Sequence, residues 1–122
     1  MLFRSLDSEE DGVFYVGCAG GRDSNLHLSI ARVSAPPSHT SFVAEVKGLR
    51  GGHSGLDIIH NRGNAIRLLS RAIERARADA DIHVASIEGG DKHNAIPREA
   101  RAVIMVKQGS EEAVKEIGRA HV

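Results

Sequence analysis

His53 sits among glycines, in Gly51-Gly52-His53-Ser54-Gly55, where a strand pattern gives way to a helix pattern. Glycine lets the backbone turn sharply and approach another group closely. An imidazole on such a turn is placed to touch a ligand from a rigid scaffold. The competing reading is a turn histidine satisfied by backbone. Downstream, Asn94-Ala95-Ile96-Pro97-Arg98 carries an amide that both donates and accepts, and a guanidinium that could pair a substrate carboxylate. Asn94 could equally support the turn before Pro97, and Arg98 could be solvated at a strand edge.

The chain holds seven histidines, but no pair has the HExxH spacing of a helical zinc site. His27 and His83 fall on polar faces of strand patterns, and His39 lies in a Pro/Ser loop. His60 and His93 flank the two motifs. A zinc site from His53, His60 and His93 is conceivable after folding, but the spacing does not specify one.

The elements that position these residues follow from periodicity. Val13 to Cys18 is a short apolar run. Leu26, Leu28 and Ile30 alternate with polar or small residues up to Val33. Both read as strands, the second broken by Pro36-Pro37. Phe42, Ala44 and Val46 alternate with Val43, Glu45 and Lys47 as a further strand, and a glycine-rich loop runs from Gly48 to Asp57. Ile66, Leu69, Ile73 and Ala76 then repeat at helical spacing, with Leu68 and Ala72 widening the stripe. Asn61 or Asn64 could cap that helix, and Arg62 and Asn64 read as helix-start devices in preference to a catalytic role. Arg67, Arg71 and Arg75 form a basic row that reads as a solvated face. Ile82–Ile87 and Ala100–Lys107 are two more strands, and Ser110-Glu111-Glu112 opens a second helix with an N-cap and first-turn acids.

From Phe42 onward the order is strand, helix, strand, strand, helix: a split β-α-β pattern lacking its last strand. The fold class is therefore α+β, an antiparallel sheet with helices on one face, ferredoxin-like and incomplete at its C-terminal end. An unpaired edge beside Ala100–Lys107 is expected.

Sixteen basic residues balance sixteen acidic ones, and aromatics are few. Both facts argue against a nucleic-acid surface and against a membrane-surface helix. No apolar run reaches the roughly 20 residues of a membrane span. Cys18 is the only cysteine, which excludes an internal disulfide, reads as a small buried apolar residue and fits a reducing, cytoplasmic compartment. Residues 1–5 contain Leu2-Phe3-Arg4-Ser5, which one common sequencing-adapter arm encodes in frame. Residues 117–122 read as the opposite arm, so His121 is expected to be adapter-derived. Native sequence would then run over about residues 6–116.

Gly48-Leu49-Arg50-Gly51-Gly52-His53-Ser54-Gly55 resembles the aminoacyl-histidine dipeptidases (Xaa-His dipeptidases), within the zinc exopeptidase family that includes carboxypeptidase G. The resemblance extends to Leu6-Asp7-Ser8-Glu9-Glu10, Gly17-Cys18-Ala19-Gly20-Gly21, Asp57-Ile58, Arg62-Gly63-Asn64-Ala65 and Asn94-Ala95-Ile96-Pro97-Arg98-Glu99-Ala100. It implies a catalytic domain holding two metal ions, with a lid inserted into it. Residues 6–22 would be the end of the catalytic domain and the crossover, and 23–116 the incomplete lid and dimerisation domain.

On that resemblance Asp7 matches a metal ligand, with Zn²⁺ implied and Co²⁺ or Mn²⁺ chemically tolerable. His53 matches a lid histidine that donates to the oxyanion of the transition state. Asn94 matches a lid asparagine suited to gripping substrate backbone or a terminal carboxylate, and Arg98, in the same segment, is the further substrate-binding candidate. The implied partners are a dipeptide, the rest of the catalytic domain and a second copy of the chain. The parent would hydrolyse Xaa-His or other dipeptides, and this segment alone would be inactive. The alternative is a stand-alone ferredoxin-like module that binds without catalysis, since topology alone does not fix function.

Overall fold

A computed structural model describes residues 11–17 and 20–119. The chain divides into two compact units, Met1–Arg32 and Val33–Val122. In the first, the described residues form no helix or strand. The strands expected at Val13–Cys18 and Leu26–Val33 are absent there, and Cys18 lies outside the described residues. Leu26 and Leu28 are 94% and 86% exposed. Alternation makes a strand only where a neighbouring strand takes the backbone hydrogen bonds and a surface takes the apolar face.

The second unit holds β1 (His39–Val46), β2 (Gly52–His53), a 3₁₀ turn (Ile58–His60), α1 (Ala65–Asp79), β3 (Ile82–Gly89), β4 (Ala95–Ile96), β5 (Ala100–Lys107) and α2 (Glu111–Arg119). The main sheet is antiparallel in the order β1-β5-β3. That is the α+β arrangement the sequence implies, but with a correction. Ala100–Lys107 is the central strand, paired on both sides, and the edges among the described residues are β1 and β3. Hydrogen bonding on both flanks suits its composition. Ala100, Ala102, Ile104 and Val106 are buried, alternating with residues on the other face.

The buried face meets α1. Asn64 caps that helix by accepting the Arg67 N–H at 3.1 Å, a bond whose loss typically costs about 1 kcal/mol. Ala65, Leu69, Ile73 and Ala76 form its buried stripe, while Arg67, Arg71 and Arg75 are exposed as expected. Phe42, Ala44 and Val46 from β1, and Val114 and Ile117 from α2, close the core. The alanines of α1 and β5 keep helix and sheet close. Gly89 also packs tightly there: a Cβ would lie 3.0 Å from Ala100 Cβ and 3.0 Å from Ile66 Cγ1, so a side chain would make those neighbours give way. The Pro97 carbonyl accepts the Ala65 N–H at 2.8 Å, which docks the Asn94–Pro97 segment onto the start of α1.

Candidate functional site

The glycine loop leaves β1 and returns as β2, which pairs antiparallel with β4. Gly52 faces Ile96 and His53 faces Ala95. The Ser54 N–H donates to the Asn94 carbonyl at 2.9 Å. The His53 and Asn94 segments, read from separate motifs, are therefore joined by a two-stranded tie apart from the main sheet, with His53 opposite Ala95 and the Asn94 carbonyl bonded to Ser54.

Asp57 organises the turn. Its Oδ2 accepts the His53 backbone N–H at 2.7 Å, and its Oδ1 meets Arg62 Nη2 at 2.8 Å. Arg62 Nη1 donates to the Gly51 carbonyl at 2.8 Å, and the Asp57 N–H returns to the His53 carbonyl at 2.9 Å. Arg62 is thus a clamp across the loop rather than a helix-start device, and Asn64 alone caps α1. The clamp explains Gly52, while Gly51 is held by its own positive φ and by the close approach of Arg98 and the Ile96 carbonyl. Gly51 has φ +65° and Gly52 has φ +144°, and a Cβ on Gly52 would collide with Arg62 Nη1 and the Asp57 carboxylate. The His53 N–H, and then the positive charges of Arg62, His60 and Arg50, hold the Asp57 carboxyl below its ordinary value, against the opposing effect of partial burial.

The clamp sets the His53 ring. Its Nδ1 accepts two backbone N–H groups, from Gly55 at 3.1 Å and Leu56 at 3.2 Å. A nitrogen that accepts carries no proton, so the neutral ring is the Nε2–H tautomer. The side chain is exposed. The arrangement presents one oriented N–H donor on a turn fixed at both ends.

Asn94 is also exposed. Arg98 is placed differently. Its side chain is 66% exposed, with Nε 3.8 Å from Glu99 Oε1, and it lines an open cleft of about 810 Å³ together with Gly51, Gly52 and Ile96. Neither His53 nor Asn94 lines that cleft. Asp7 lies outside the described residues.

Residues 44–120 match the peptidase dimerisation domain. The chain belongs to this family. It is 43% identical over 115 residues to the cytosol non-specific dipeptidase of Escherichia coli, covering 93% of this chain and 23% of that protein. The aminoacylhistidine dipeptidase of Vibrio alginolyticus superposes with a TM-score of 0.71 at 32% identity, over 75% of this chain and 19% of that one. An aminobenzoyl-glutamate utilization protein from Klebsiella pneumoniae shares the fold at 17% identity, with a TM-score of 0.54 over 69% of this chain and 23% of that one. The chain thus spans about a fifth to a quarter of the relatives it matches.

In this dimerisation domain the residues around His53 do not form a metal ligand set. His53 Nδ1 and the Asp57 carboxylate are committed to N–H donors, and His53, His60 and His93 do not come together as ligands. The loop is built as a hydrogen-bond donor. Sequence reasoning did not assign Asp57 or the Arg62 clamp. Both lie in segments that carry the family resemblance, and Gly52 is the local signal, since a glycine there implies that something occupies the space a Cβ would fill.

Proposed function

We propose that this chain is the lid and dimerisation segment of a metal-dependent dipeptidase acting on Xaa-His or other dipeptides, with residues 6–22 contributing the end of the catalytic domain. The observation that carries the reading is the His53 ring, held by two N–H groups on Nδ1 so that Nε2–H points away from its own turn. The dipeptidase names of the two relatives above 30% identity support it, and they do not favour the stand-alone binding module.

In such an enzyme a metal pair supplies an activated water; Zn²⁺ is the expected metal, with Co²⁺ or Mn²⁺ as substitutes, and Asp7 is the ligand this chain would contribute. The chain's own part is electrostatic. As water adds to the peptide carbonyl, its oxygen gains negative charge, and a hydrogen bond from His53 Nε2–H strengthens as that charge develops. The donor is already aimed, so little reorganisation is needed at the moment of reaction. Asn94, tied to Ser54, is placed to hold substrate backbone or a terminal carboxylate, and Arg98 to pair with a carboxylate entering the cleft. A homodimer and a cytoplasmic location complete the proposal, supported by the dimerisation-domain family and by the name of the cytosolic relative.

The test is dipeptide hydrolysis by the whole protein carrying this segment, with and without chelator. Chelator-sensitive turnover is expected, with none from the 122-residue chain alone. Turnover that survives chelation would defeat the reading.

A further inference from the structure

A second cluster lies at one end of the main sheet. His39 opens β1, His83 is the second residue of β3, and Asp81 directly precedes β3. His39 stands opposite Lys107 of β5 and His83 opposite Met105, while the Lys107 N–H donates to the Asp81 carbonyl at 3.1 Å. Residues facing one another across a ladder, and those two apart along a strand, share a face. All three side chains therefore rise from the face that α1 and α2 do not cover. The two histidines reach toward each other over the central strand until their rings stand edge to face, with centroids 5.1 Å apart.

Asp81 lies between them. Its Oδ2 is 3.4 Å from His39 Nε2 and its Oδ1 is 3.3 Å from His83 Nε2, and the candidate ligand atoms all lie within 4.8 Å of one another. Two ligands each about 2.05 Å from a tetrahedral ion stand about 3.3 Å apart, so this spacing is already close to that of a coordination shell. The His39 side chain is only 3% exposed, and its Nε2 makes no hydrogen bond. A buried nitrogen without a hydrogen bond, aimed at a carboxylate and a second imidazole, is an unexplained loss unless something fills the gap. Ser38 Oγ stands 3.4 Å from His39 Nδ1. It can accept a proton held there, leaving Nε2 as the free lone pair, which is how a supporting hydroxyl orients a ligating imidazole.

We infer that His39, Asp81 and His83 form a binding site for a divalent transition-metal ion, Zn²⁺ by the two-imidazole, one-carboxylate donor set, that pins the outer strands β1 and β3 together across β5. Mg²⁺ and Ca²⁺ prefer all-oxygen shells and do not suit it. Asp81 and His83 are about half exposed, which leaves an approach from solvent and a fourth position for water. The site uses none of the residues of the His53 loop and stands independently of the peptidase reading.

The test is calorimetric titration of the full 122-residue chain with ZnCl₂, and the melting temperature with and without Zn²⁺. One ion per chain at this site and a raised melting temperature are expected, since a ligand bound only by the folded state stabilises it. His83→Gln and Asp81→Asn should each weaken that binding at least about tenfold, and His39→Ala should abolish it. Because His39 is buried, its variant also tests folding, so the two half-exposed positions decide the matter. Absence of Zn²⁺ binding, or binding unchanged in both His83→Gln and Asp81→Asn, overturns the site.

Discussion

The Asp57 carboxylate accepts the backbone N–H of His53 at 2.7 Å, and through that bond a residue four positions downstream fixes where the imidazole points. The same carboxylate holds Arg62, which grips the carbonyl of Gly51. Backbone, carboxylate and guanidinium close a small ring around Gly52, and the histidine emerges from it with Nδ1 occupied and Nε2–H presented. The loop's composition, two glycines, a histidine, an aspartate and an arginine, is what that ring requires.

The Asp57 bond makes the loop acid-sensitive in a defined direction. Its carboxyl is held below the ordinary value of 3.8, chiefly by the His53 N–H. A group whose folded value is lowered contributes stability that is fully present above the unfolded value and fades as pH falls through the folded one. The loop should therefore be intact at neutral pH and open only as pH falls below the ordinary value of 3.8, through the lowered folded one. Amide exchange of His53, corrected for intrinsic rate, should accelerate in that range in the wild type. In Asp57→Asn it should be fast already at neutral pH, while the Val106 amide in the core is unaffected. Equal His53 protection in wild type and variant would rule out the clamp.

Gly52→Ala tests the same ring sterically. A Cβ there meets Arg62 Nη1 and Asp57, at a φ of +144° that alanine rarely adopts. The substitution should destabilise the folded chain by more than about 1 kcal/mol. Gly20→Ala, where a Cβ meets nothing within 4 Å and φ is not positive, should change stability by less than about 0.5 kcal/mol. Denaturant titration of both variants measures the difference, and similar midpoints would mean that Gly52 has no special role.

Much of this fold was readable because its core follows simple periods. Leu69, Ile73 and Ala76 on α1, and Ala102, Ile104 and Val106 on β5, recur as burial demands, and of the two asparagines that could cap the helix Asn64 does so. The pairing of β5 was not readable, since nothing local tells a central strand from an edge. Leu26, Leu28 and Ile30 show the converse, a strand period that pairs with nothing among the described residues. His53 was readable from its glycines, but the arginine that fills the space beside Gly52 lies ten residues beyond it and carries no periodic signal. The His39 cluster was hidden most completely. Its members come from the two outer strands and a helix–strand junction, and only the sheet order brings them together.

The most direct test of the central claim is the kinetics of His53→Ala in the whole dipeptidase, with metal content measured on the same preparation. A lost oxyanion donor should lower kcat by about 10²–10³, with KM little changed and the metal retained. A kcat within a few-fold of wild type, or a loss of activity that tracks loss of metal, would contradict the role assigned to His53.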